Sequence, residues 1–261
     1  MTRYMLTMAG IAMVVSLFFA PAGCSKKEKI THLSQLDGKE FAVPTGTAAD
    51  KLVLSRFPNA RFKYFNSVLD AALAVRTGKA DAAAYDEPIL KNIAARNQGL
   101  KVLPEMITRD AYGFAVRPDS PELKKNIDLV ISELKKSGAY EAMMQRWFPK
   151  TGDPAPMPSF PPEGDKGVLT FGTAAVTEPF SFMDGSRNIV GFDIEIAHYV
   201  ARKLGMKLEV VNMDFGAMIP ALSAGKVDMI GACITITEER AKKVLFSESY
   251  YNGGIAALVK E

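Results

Sequence analysis

The sequence predicts an α/β protein of two lobes, and three observations carry that expectation. Short apolar runs alternate with helix-length segments along most of the chain, the pattern that lays helices on the faces of mostly parallel sheets. The segment Pro149 to Lys166 interrupts this once; its prolines deny it helix and sheet interior and make 149–166 an extended linker. Finally, Leu73-Ala-Val-Arg-Thr-Gly78-Lys79-Ala-Asp81 resembles Leu222-Ser-Ala-Gly225-Lys226-Val-Asp228. Each reads as a helix ended by Gly, with a Lys suited to the helix C-terminus and an Asp opening a strand. The repeat suggests lobes of similar build.

Composition supports this and excludes much else. The 261 residues are 48% hydrophobic and 23% charged, enough for a core in each lobe and unlike disordered, collagenous or polytopic membrane chains. A net charge of +3, with no basic run longer than Lys26-Lys27, gives no case for nucleic acid. Two His and two Cys exclude a disulfide framework and any metal site built mainly from those residues. No cofactor is expected.

At the N-terminus, Arg3 precedes an apolar run from Met5 to Ala20 and then Pro21-Ala22-Gly23-Cys24. The run is marginal for a membrane span, which needs about 20 residues. The small residues before Cys24 resemble a lipobox, although Pro21 replaces the usual aliphatic residue. The expectation is a signal peptide at 1–23, lipidation at Cys24 and a polar tether at 24–30. An uncleaved anchor is the alternative. Either way the bulk of the chain is exported. With Cys24 acylated, Cys233 stays a free thiol.

The elements follow in order. Strands are expected at 41–43, 62–65, 81–85, 102–103 and 112–116, with helices at 47–57, 68–75, 88–96, 121–136 and 139–147. Pro88 falls in a first helical turn, where its missing N–H costs little. Beyond the linker come strand 169–173, helix 193–204, strand 207–213, helix 217–224 and strand 228–232.

Four constellations carry candidate chemistry. Thr235-Ile-Thr237-Glu-Glu-Arg240 follows a strand end and reads as a helix start. Arg240 in the first turn opposes the helix dipole; an anionic ligand at the helix mouth, or a pairing with Glu238 or Glu239, would each explain it. Pro44-Thr45-Gly46-Thr47-Ala48-Ala49-Asp50 occupies the matching place in the other lobe, with Thr47 and Asp50 spaced as a capping box. Asp86, in Tyr85-Asp86-Glu87, either meets a ligand ammonium in an interlobe crevice or caps the helix at Pro88. Among the aromatics, Phe215 is placed toward a ligand, the others in the core.

Together these residues resemble the amino-acid-binding proteins of ABC importers, the extracellular solute-binding family for polar amino acids. The resemblance rests on Gly172-Thr173 with Pro179-Phe180, Gly191-Phe-Asp-Ile-Glu195, Phe215 to Leu222, Thr235 to Arg240, and Phe246-Ser247 with Tyr250-Tyr251. Gly46-Thr47, Asp86-Glu87 and Tyr112-Gly113 through Trp147-Phe148 look like the second lobe and the terminal helices. The resemblance implies a periplasmic-binding-protein-like fold that is not an enzyme. It implies capture of an amino acid for a membrane permease by a lipid-anchored monomer on the outer side of the cell envelope. Arg240 would take the ligand carboxylate, with Thr235 and the backbone of Thr47 and Ala48. Asp86 and the Cys233 carbonyl would take the ammonium, and Phe215 would flank the side chain. Thr177 stands where the family often has a ligand-facing aromatic, Ala174 where it often has an acid, and Cys233 where Gly or Ser is common. The side-chain preference stays open. An enzyme on the same scaffold, dehydratase-like, would need a general acid, for which Glu87 and Glu178 are the candidates.

The segment order departs from the family. A second lobe (31–111) and a hinge strand with terminal helices (112–148) precede a first lobe (167–261). The expectation is a circularly permuted binding protein, with 112–116 pairing with 255–259 in the hinge. The rival is a fragment of a longer one.

Overall fold

The structure, a computed structural model, describes residues 29–149, 154–160 and 164–261. The expected signal peptide, the lipidation at Cys24 and most of the tether lie outside the described residues. Among the described residues no helix is long and apolar enough to cross a membrane.

The second lobe is built from β1 (Glu40–Pro44), α1 (Ala49–Arg56), β2 (Arg61–Phe65), α2 (Val68–Arg76), β3 (Ala82–Asp86), α3 (Glu87–Arg96) and β4 (Leu100–Val102). The chain then passes through β5 (Asp110–Tyr112) and β6 (Ala115–Val116) to α4 (Pro121–Ser137) and α5 (Ala139–Trp147). The first lobe contains β7 (Val168–Thr173), a small sheet of β8 (Val176–Thr177), β9 (Ser181–Met183) and β10 (Ile189–Val190), then α6 (Phe192–Leu204), β11 (Lys207–Asn212), α7 (Met218–Ser223), β12 (Met229–Ile230), α8 (Glu238–Ala241) and β13 (Leu245–Phe246). Two strands close the described chain, β14 (Tyr251–Gly253) and β15 (Ile255–Lys260).

Each lobe has one five-stranded sheet, β2-β1-β3-β15-β4 and β11-β7-β12-β6-β13. Four strands of each run in one direction. The inserted strand, β15 or β6, runs antiparallel to both its neighbours. The insertions are reciprocal: β6 follows the second lobe in sequence but sits inside the first lobe's sheet, and β15 follows the first lobe but sits inside the second's.

This corrects the expected hinge. Residues 255–259 do not pair with 112–116; β5 pairs with β14, Tyr112 opposite Tyr251, while Ile255 to Val259 pair with β3. Two crossing strands therefore join the lobes. The reason is burial. Along β15, Ile255, Ala257 and Val259 face the layer of Leu33, Phe41, Val53 and Phe57, while Ala256 and Leu258 face that of Ala71, Val75 and Leu90. A strand apolar on both faces belongs in the middle of a covered sheet.

Helices α4 and α5 pack on α6. The Glu195 carboxylate, 1% exposed, accepts from Arg146 Nη1 at 2.8 Å and Trp147 Nε1 at 2.6 Å. The described linker residues lie along the same surface. Ala155 N–H donates to the Arg146 carbonyl, and Phe160 stacks on His198 with ring centroids 4.3 Å apart.

Candidate functional site

The loop after β1, the end of β3 and the segment from Cys233 to Arg240 converge between the lobes. Thr47, Ala48, Asp86, Phe215, Cys233, Thr235 and Arg240 line one narrow cavity of about 10 Å3, joined there by Ala49, Tyr85 and Ile255. That is far below the roughly 300–1,000 Å3 of pockets for drug-sized ligands; the lobes close on each other here and leave about the space of one water.

Arg240 reaches the cavity from α8. Its backbone N–H is capped by Thr237 Oγ1 at 3.2 Å, so Thr237 is the cap residue. The guanidinium donates to the Thr235 carbonyl at 3.0 Å and lies over the Phe215 ring, 5.5 Å from its centroid. Glu239 is engaged by Lys51 across the cleft. Burial lowers the Arg240 pKa, and Asp86 is foremost among the groups opposing that shift.

Asp86 is 4% exposed, and its side chain makes no capping bond to α3. Oδ1 accepts from the Tyr112 hydroxyl, and the Cys233 thiol lies 3.8 Å from Oδ2. Burial pushes the Asp86 pKa up to about 7; the Tyr112 hydrogen bond and the Arg240 charge oppose that rise. Cys233 has φ +48°, in the left-handed region where side chains are uncommon. That conformation is a physical reason for the Gly of the resembling family at this position. Its thiol is buried and pushed well above its ordinary pKa, first by burial and then by Asp86 and Asp193.

The capping box expected at Thr47 is not formed. Thr47 Oγ1 donates to the Pro44 carbonyl at 2.9 Å, and Asp50 accepts from Lys51 N–H and the Tyr64 hydroxyl. Thr177 does not line the cavity; its hydroxyl lies 3.2 Å from the Ala174 and Ser181 carbonyls, and the side chain is buried locally. Glu178 is held bidentately by Arg96, 2.7 Å at each oxygen, and Glu87 pairs with Lys91. Neither carboxylate lines the cavity.

Sequence reasoning missed Tyr85, Ile255 and the bond from Tyr112 to Asp86. Tyr112 lies in an apolar run that reads as core, and its partner is 26 positions away.

The description of bacterial extracellular solute-binding proteins, family 3, matches residues 169–261. The arginine-binding extracellular protein ArtP of Bacillus subtilis (strain 168) is 45% identical over 89 residues, 34% of this chain and 34% of that protein. A probable histidine-binding protein of Campylobacter jejuni is 39% identical over 84 residues, 32% of each chain. The solved arginine-bound domain 1 from TmArgBP is 42% identical, covering 37% of this chain and 82% of that one, with a TM-score of 0.33. The chain spans about a third of the length of these two curated relatives.

Proposed function

We propose that the chain, whose residues 169–261 match the bacterial extracellular solute-binding proteins of family 3, captures a free amino acid between its lobes and delivers it to the permease of an ABC importer. The observation that carries this reading is the shared cavity. One lobe supplies a half-buried guanidinium and the other a buried carboxylate, charges that complement an amino-acid zwitterion. Arg240 and Thr235 take the carboxylate, with the Thr47 and Ala48 backbone; Asp86 takes the ammonium with the Cys233 carbonyl; Phe215 flanks the side chain. Such charge-assisted bonds are strong in a water-poor cleft. Micromolar affinity asks for only about 8 kcal/mol.

The protein is non-catalytic in this reading, since both candidate general acids are committed to ion pairs away from the cavity. It is a monomer held at the outer face of the envelope by a lipid on Cys24. Its segments are circularly permuted, with 149–166 joining what are chain ends in the family. The facing lobes and shared cavity support that order. Thr177 is proposed to act only indirectly, by shaping the first-lobe wall.

Isothermal titration of the exported part against the twenty amino acids tests the reading, with one ligand per chain as the expected stoichiometry. Arg240→Ala and Asp86→Ala should each weaken binding at least a hundredfold. Each strands one buried ligand charge, a cost of roughly 3–5 kcal/mol. Retention of wild-type affinity in both variants would remove the site.

A further inference from the structure

Tyr112 does not line the cavity, yet it touches the end of β3 and the segment from Cys233 to Arg240, two of the parts that form it. Its backbone belongs to the first-lobe side. Tyr112 bridges to Thr235, Gly113 N–H donates to the Ile234 carbonyl at 3.1 Å, and Ile236 N–H donates to the Ala111 carbonyl at 2.9 Å. The strand is thus fixed to the segment leading into Arg240. The side chain belongs to the other lobe. Its hydroxyl donates to Asp86 Oδ1 and accepts from the Gly254 N–H at 3.1 Å, at the start of β15.

The ring is placed tightly. It stacks on Tyr251 at 5.6 Å and meets the edge of Phe180 at 5.8 Å. A Cβ on Gly253 would fall 2.4 Å from the Tyr112 hydroxyl oxygen, so a residue without a side chain is what lets the phenol reach Asp86. Tyr112 is fully buried.

Building on the reading of this cavity as an amino-acid site, we propose that Tyr112 is a positioning residue: its hydroxyl holds the Asp86 carboxylate ionised and aimed at the ligand ammonium, from a backbone fixed to the arginine side of the site. The groups facing Asp86 set its charge. Burial disfavours ionisation and Asp110 adds to that, while Tyr112 and Arg240 favour it; the Cys233 thiol and the Tyr85 phenol are the other titratable neighbours, both held neutral by burial. Without the hydroxyl, the carboxylate would take up its proton at higher pH. It would then offer the ammonium a weaker partner.

Tyr112→Phe keeps the ring and removes only the hydroxyl. Calorimetric titration with the best-bound amino acid should show about tenfold weaker binding at pH 7, the scale of one hydrogen bond to a charged group. The deficit should grow at pH 6 and shrink at pH 8.5. A second readout needs no ligand: the melting temperature of the variant should fall below wild type by more at pH 8.5 than at pH 7. Equal affinity, or the same fold-loss at every pH, would overturn the proposal. A wild type that binds no amino acid would instead defeat the functional reading, and the ligand-free melting comparison would still decide whether Tyr112 controls Asp86.

Discussion

Asp193 lies on the first turn of α6, fully buried, and its Oδ1 has no hydrogen-bond partner among the described residues. Oδ2 accepts from the Cys233 N–H and the Tyr250 hydroxyl, each at 2.9 Å. Burial pushes its pKa up to about 7 against those two bonds. A folded pKa above the unfolded one means that the stabilisation of the neutral acid is complete below about pH 4. It is lost as the pH climbs to about 7. The loss is about 1.4 kcal/mol per pH unit within that window. Asp193→Asn cannot ionise, so its melting temperature relative to wild type should rise between pH 5 and pH 8. Scanning fluorimetry at several pH values checks this, and a constant offset would sink it. The orphan oxygen therefore has an energetic signature separate from ligand capture.

At the scale of elements, the lobes are pinned together on both sides of the cavity. Lys51 on α1 meets Glu239 on α8, an exposed pair whose attraction water and salt largely screen. Arg96 on α3 grips Glu178 between β8 and β9 through two parallel bonds, a geometry stronger than a single contact. Glu178→Gln should weaken ligand binding several-fold and flatten its salt dependence, whereas Glu239→Gln should change it less than twofold. Titrations at two ionic strengths separate the two, and equal effects would contradict this ranking. Much of this layer was legible in the sequence. The strands and helices fell near their expected bounds because periodicity, Pro88 and the helix-ending glycines all act locally. Arg240 and Asp86 stood out as charges at helix starts, each with a local alternative, of which the cap by Asp86 is not formed. What escaped were features whose cause is distant. The unbroken run Ile255 to Val259 signalled a strand buried on both faces, but nothing nearby named the sheet that would take it. The Thr47–Asp50 spacing resembled a cap, yet Thr47 turned back to the Pro44 carbonyl in its own loop and Asp50 to the Tyr64 hydroxyl on β2.

For the whole molecule, the exchange of β6 and β15 ties the fate of each lobe to the other. Neither five-stranded sheet is complete without a strand from across the linker. Residues 31–261 should therefore melt in one transition, with calorimetric and van't Hoff enthalpies equal, instead of lobe by lobe. Two resolved transitions would show that the crossing strands do not couple the lobes. Ligand should raise the single midpoint in proportion to the logarithm of its concentration in excess of Kd.

The same exchange makes the molecule divisible in an unusual way. A cut within 150–153 would leave one piece carrying β1 to β6 and another carrying β7 to β15. Each piece would hold a slot in its sheet shaped for a strand of the other. Expressed separately, the two halves form a matched pair, each short of one interior strand and each the template for its counterpart. Reassembly would place Asp86 from one half beside Arg240 from the other. Such a pair would serve as a two-component reporter, whose reconstitution would rise with any ligand that bridges the halves.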